Sequence, residues 1–88
     1  MLKIKHHTFF KKDFKKLVKN GFDDSVLNEV ILTLRKKKPL PPQFQDHALR
    51  GKWKPFRECH IKADILLVYL VKDDELILLR LGSHSELF

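Results

Sequence analysis

Ile65-Leu66-Leu67-Val68-Tyr69-Leu70-Val71, followed by Lys72-Asp73-Asp74 and Glu75-Leu76-Ile77-Leu78-Leu79-Arg80-Leu81, sets the architecture of this 88-residue chain. Seven consecutive apolar side chains leave no polar face, so a strand over Asp64 to Val71 is central and is covered on at least one side. The lysine and two aspartates supply a tight turn, and the spacing predicts an antiparallel hairpin with a strand over Glu75 to Leu81. Upstream, Phe56 to Lys62 reads as a third long strand, and Leu49 to Lys54, with Gly51 inside it and Pro55 after it, as a short strand and turn.

The period changes before the prolines. Phe10, Phe14, Leu17 and Val18 recur at helical spacing, with Thr8 as N-cap, Asn20-Gly21 as the stop, and Lys11, Lys12, Lys15, Lys16 and Lys19 on the other faces. A second helix starts at Asp23, Asp24 and Ser25 and carries its apolar stripe on Val26, Leu27, Val30, Ile31 and Leu34. It ends in the basic run Arg35 to Lys38, before Pro39, Pro41 and Pro42. Leu2 to Lys5 alternates as a short N-terminal strand. The expected fold is α+β: an N-terminal strand and a two-helix hairpin packed on a twisted antiparallel sheet of about four strands, all in one domain over residues 1–88.

Eighteen Lys and Arg against 11 Asp and Glu give a formal charge of +7. The whole excess lies in residues 1–44, with 11 basic and 4 acidic groups, while residues 45–88 hold seven of each. Such a surface suits a polyanion or an acidic protein. Cys59 is the only cysteine, which rules out an internal disulfide and a cysteine-based zinc site and fits a reducing cytoplasm. The N-terminus lacks a signal-peptide pattern, and no run reaches the roughly 20 apolar residues of a membrane helix, so no membrane partner is expected.

Histidines mark the chemistry. His47, His60 and His84 each sit in a polar or aromatic cluster, with Glu58, Asp64 and Arg80 close by in sequence. Imidazole both takes and gives protons near neutral pH, and polar groups at the ends of apolar strands are costly unless they line a cleft. In the strand from Phe56, Glu58 and His60 share one face and Arg57 and Cys59 the other; if the last strand stays extended, Arg80, Gly82 and His84 share a face too. Phe88 has a ring free to stack on a base, and Lys52, Trp53, Arg57 and Glu58 are candidate RNA contacts. His6 and His7 read as exposed bystanders. The histidines lack the short spacing of metal-ligand motifs, so no metal or other cofactor is expected.

The segments Asp46 to Trp53, Phe56 to Asp64, Leu67-Val68-Tyr69 and Arg80 to His84, closed by Leu87-Phe88, resemble the RelE and ParE superfamily of bacterial toxins, and more narrowly its YafQ-like branch. The resemblance covers nearly the whole chain. It implies a helical hairpin on an antiparallel sheet, an endoribonuclease that cuts mRNA, in related proteins during translation on the ribosome, and a cognate antitoxin that neutralises it. By position, His47, His60, Asp64, His84 and Phe88 match the active-site residues of that branch, and Arg80 matches the arginine facing the scissile phosphate.

The mechanism expected on these grounds is metal-independent attack of the ribose 2′-hydroxyl on the adjacent phosphorus. His84 is the acid, His60 or His47 the base with Asp64 orienting one of them, Arg80 the bidentate phosphate ligand, and Phe88 a stacking surface. DNA, lacking the 2′-hydroxyl, is not cut, and is met only through an antitoxin complex. Two rival readings are a ParE-like toxin that binds a protein such as DNA gyrase, and a non-catalytic basic RNA-binding module.

Overall fold

The computed structural model describes residues 1–88 as an α+β fold with a five-stranded sheet. In chain order the elements are β1 (Lys3–His6), α1 (Thr8–Lys19), α2 (Ser25–Arg35), β2 (His47–Ala48), β3 (Arg57–Lys62), β4 (Ile65–Lys72), β5 (Glu75–Gly82) and α3 (His84–Leu87). The strand order is β1-β5-β4-β3-β2. Four strands run antiparallel to their neighbours, but β1 lies parallel to β5, so the sheet is mixed and has five members where an antiparallel sheet of about four was expected. The parallel edge follows from connectivity: the two helices carry the chain across the sheet between β1 and the strands that follow.

The apolar run at 65–71 is the centre, as its composition requires. Leu67 and Tyr69 face α1 and α2 and join Phe10, Leu27, Val30, Leu34, Cys59, Ile61, Leu76, Leu78 and Leu81 in the main core. Leu66 and Val68 point to the opposite face, where Leu87 of α3 packs on them with Leu49, Phe56 and Leu79 at the margin. Asp73 takes a φ of +56° in the hairpin turn, a left-handed conformation that aspartate tolerates better than most residues.

Both helices begin and end largely where their caps dictate. The cap of α1 is His7 and not Thr8: its Nδ1 accepts from the Phe9 amide at 3.1 Å. Gly21, at φ +90°, stops the helix. Asp23 Oδ1 accepts from the Ser25 amide at the start of α2. At its other end α2 is tied to β1 twice, by Leu2 N donating to Arg35 O and Arg35 Nε donating to Leu2 O, both at 2.9 Å.

Of the short strand and turn expected over Leu49 to Lys54, the turn is present and the strand lies earlier, at His47–Ala48. Pairing is confined to His47 and Ala48 against Glu58 and Arg57, after which Gly51, at φ +63°, opens a 3₁₀ turn over Gly51–Trp53. Glycine and the proline at 55 turn the chain where a ladder would have continued. The last strand, in turn, does not run on to His84: Ser83 caps α3.

Cys59 is fully buried, and burial pushes its thiol up to about 12. The folded protein is therefore expected to resist a thiol-labelling reagent at pH 8, with labelling reaching completion only in denaturant. Rapid labelling under native conditions would contradict this packing.

Candidate active site

A β-bulge decides what the face opposite α1 and α2 presents. Val68 pairs with Arg80 and Tyr69 with Leu78, so Leu79 is an extra residue on β5. Leu76 and Leu78 face the helices, and uninterrupted alternation would send Arg80 into the same core. The bulge shifts the parity, so Leu81 takes the core position and Arg80 shares the face of Val68.

The strand register then aligns the candidates. His47, Glu58, Val68 and Arg80 form one row across four strands, because His47 pairs with Glu58, Glu58 with Val68, and Val68 with Arg80. The next row on that face is His60, Leu66 and Gly82. Asp64 lies in the exposed turn between β3 and β4 at that same end of the sheet, and it makes no hydrogen bond. His84 opens α3 two residues beyond Gly82. Three strands, β2, β3 and β5, thus set His47, Glu58, His60 and Arg80 on one face of the sheet, with Asp64 and His84 just beyond strand ends.

Glu58 is the one charged residue buried in the molecule. Its Oε1 lies 3.0 Å from His47 Nε2, while His47 Nδ1 lies 2.7 Å from the Gln45 carbonyl. A carbonyl only accepts, so Nδ1 is the donor in that contact, and Nε2 faces the Glu58 carboxyl. Both ring nitrogens of His47 are engaged. His60 is half-buried, its ring nitrogens make no hydrogen bond to protein, and it borders a cleft of about 610 Å³ between β3 and α2 that is also lined by Val26, Glu29, Gln43, Phe44 and Lys62.

Aromatic contacts fix α3. Phe88 meets Trp53 edge-on with centroids 4.9 Å apart and lies 5.1 Å from the His84 ring, and Lys52 Nζ is 5.9 Å from the Trp53 centroid. A capping box closes the short helix: Ser83 Oγ accepts from the Glu86 amide and Glu86 Oε1 accepts from the Ser83 amide. The backbone bond from Ser83 holds the Glu86 carboxyl below its usual range.

Arg57 does not join this surface. It pairs in register with Tyr69 on the helix side, where Asp46 accepts from its Nε and Nη2 at 3.3 Å and from Tyr69 Oη at 2.6 Å. Two partners were not foreseen from sequence. Asp46 is one. The other is Asp13 of α1, which holds Arg80 side-on, with Nε at 2.8 Å and Nη2 at 3.2 Å, and raises the arginine further above its usual range. Its signal was visible, since Asp13 is the lone acid among the lysines of α1.

Known proteins share this fold. A copper-bound mutant toxin from Helicobacter pylori is 82% identical and superposes over all of both chains with a TM-score of 0.99. The toxin of the Escherichia coli DinJ–YafQ complex is 32% identical, with a TM-score of 0.90 over 100% of this chain and 99% of that one. The architecture is therefore that of a bacterial toxin. The mRNA interferase toxin YafQ of Escherichia coli K12 is 34% identical over 86 residues, covering 97% of this chain and 94% of that protein. The family model described as bacterial toxin of type II toxin-antitoxin system, YafQ, matches residues 2–88, and the chain belongs to that family.

His47 and Glu58 form a pair, and no group of three or more His, Cys, Asp or Glu side chains is gathered in this structure.

Ser83→Ala is expected to cost about 1 kcal/mol of stability by removing the cap, and to speed amide exchange at Glu86 and Leu87. The Glu86 half of the box follows pH with a definite sign. Its carboxyl is lowered in the fold, so its contribution is present above the usual carboxylate range and fades as pH falls through the lowered value. Exchange at the same two amides that is unchanged by the substitution would refute the capping role.

Proposed function

We propose that residues 1–88 form a single toxin domain that cleaves mRNA by metal-independent acid-base catalysis. The observation that carries this reading is the pair of adjacent rows, His47-Glu58-Val68-Arg80 and His60-Leu66-Gly82, on the sheet face that α1 and α2 leave open.

Attack by the 2′-hydroxyl needs a base, an acid at the departing 5′-oxygen, and positive charge at the phosphate. His60 is the base, because neither of its ring nitrogens is committed to a protein partner, and Asp64 stands in the turn that follows the same strand without a bond to it. His84, exposed at the start of α3, is the acid. Arg80 meets the nonbridging oxygens, and the His47–Glu58 pair adds a proton-bearing imidazole to the same surface. Phe88, 41% exposed and braced by Trp53, offers its free ring face to a base, with Lys52 beside it near the phosphate backbone. Arg57 is left out, since its guanidinium serves Asp46.

The substrate is mRNA, met on the ribosome in the cytoplasm, and the regulatory partner is a cognate antitoxin. The names of the Escherichia coli relative and of its DinJ complex support both the substrate and the kind of partner. No helix is long and apolar enough to cross a membrane, which agrees with an aqueous substrate. A gyrase-binding toxin or a passive RNA-binding module would have no use for imidazoles aligned by register, and neither reading accounts for the buried Glu58.

Cleavage of a transcript by the intact chain should leave a cyclic 2′,3′-phosphate and a 5′-hydroxyl. His84→Ala should lower the rate at least 100-fold, in line with loss of a general acid, while the protein still binds RNA. Products bearing 5′-phosphates would instead indicate activated water and reject this chemistry.

A further inference from the structure

Arg80 is restrained from two sides by one face of α1. Asp13 Oδ2 accepts from both Arg80 Nε, at 2.8 Å, and the Leu81 amide, at 2.9 Å, while Oδ1 accepts from Arg80 Nη2 at 3.2 Å. One turn earlier Phe9 lies with its ring centroid 5.7 Å from Arg80 Cζ. Residues 9 and 13 are four apart and so project from the same side of the helix. Phe9 is 52% exposed, an unfavourable setting for a phenyl ring that is explained by its seat against the guanidinium.

The geometry leaves a defined edge free. A guanidinium has five N–H donors, and Asp13 takes one from Nε and one from Nη2. Of the remaining three, one on each Nη lies on the Nη1–Nη2 edge, and that pair can still clasp two phosphate oxygens. A long, flexible side chain loses rotamer freedom when it grips a ligand; one already fixed by a carboxylate and a ring has lost it during folding. The bulge at Leu79 and the Asp13 bond to the next amide act on the same residue, so strand and helix together aim it.

We propose that Asp13, assisted by Phe9, is a positioning residue for cleavage: it fixes Arg80 side-on so that the Nη1–Nη2 edge is presented to the scissile phosphodiester. This rests on the reading of Arg80 as the phosphate ligand. Asp13 touches no reacting atom and acts through the arginine alone.

Cleavage of a transcript by the full chain tests this, with Asp13→Asn, Phe9→Leu and Arg80→Ala made singly and each of the first two combined with the third. Melting temperature is followed in parallel. Asp13→Asn should lower kcat about tenfold with KM changed less than twofold, Asp13→Glu should recover part of the loss, and Asp13→Asn should add nothing once Arg80 is alanine. Replacing one nonbridging oxygen by sulfur should discriminate between the two stereoisomers in the intact chain and less so in Asp13→Asn, a change that a purely structural tether would not produce. The clamp is overturned if Asp13→Asn leaves kcat unchanged or raises it, or if its effect persists undiminished beside Arg80→Ala. Should Asp13→Asn fail to fold, Phe9→Leu decides: a fall in kcat seen only when Arg80 is present supports the clamp, and wild-type kcat rejects it. Wild-type cleavage by Arg80→Ala would reject the phosphate-ligand reading itself, and the clamp with it, whereas loss in Arg80→Ala with no effect of Asp13→Asn rejects the clamp alone.

Discussion

The pairing of β4 with β5, interrupted at Leu79, is the constraint on which the rest of the molecule depends. A central strand apolar on both sides must be covered twice. The helices cover Leu67 and Tyr69, and α3 brings Leu87 onto Leu66 and Val68. The single extra residue in β5 lets both requirements coexist with a charged side chain near the middle of the sheet, because it exchanges Leu81 for Arg80 on the buried side. Without it a guanidinium would be driven among Leu27, Val30 and Phe10, at a desolvation cost no small core can offset.

The two faces divide the labour. Apolar contact with α1 and α2 holds the sheet rigid, and the opposite face is free to carry polar groups that packing would otherwise exclude. Two carboxylates remote in sequence keep the arginines in order: Asp46 retains Arg57 on the helix side, and Asp13 takes hold of Arg80. A loose Arg80 would leave its face no less basic but less defined. Phosphate recognition depends on directed donors as well as on charge.

Much of this was readable in the residues. The amphipathic helices, the buried hairpin and the parity of Glu58 and His60 follow from period and turn chemistry, and they fall within a residue or two of where they were expected. The placement of β1 did not follow, because four alternating residues carry no information on whether a neighbour runs parallel. Of the short strand and turn expected over Leu49 to Lys54 only the turn formed there, because Gly51 and Pro55 bend the chain. The last strand stops at Gly82 and does not carry His84, because Ser83 and Glu86 form a capping box that could have been recognised from their spacing. The bulge was hidden for a different reason: Leu78 and Leu79 are both leucine, and identical side chains do not reveal which of them leaves the ladder. The engagement of Arg80 by Asp13 spans 67 residues and lay beyond any local pattern.

Strand β2 has only two residues and correspondingly little ladder with which to hold its place. Its His47 is stretched between the Gln45 carbonyl and the buried Glu58. The contact between ring and carboxyl therefore works as a rivet at the margin of the sheet. Loosening that short strand and exposing the one buried carboxyl are a single event, and neither happens without the other.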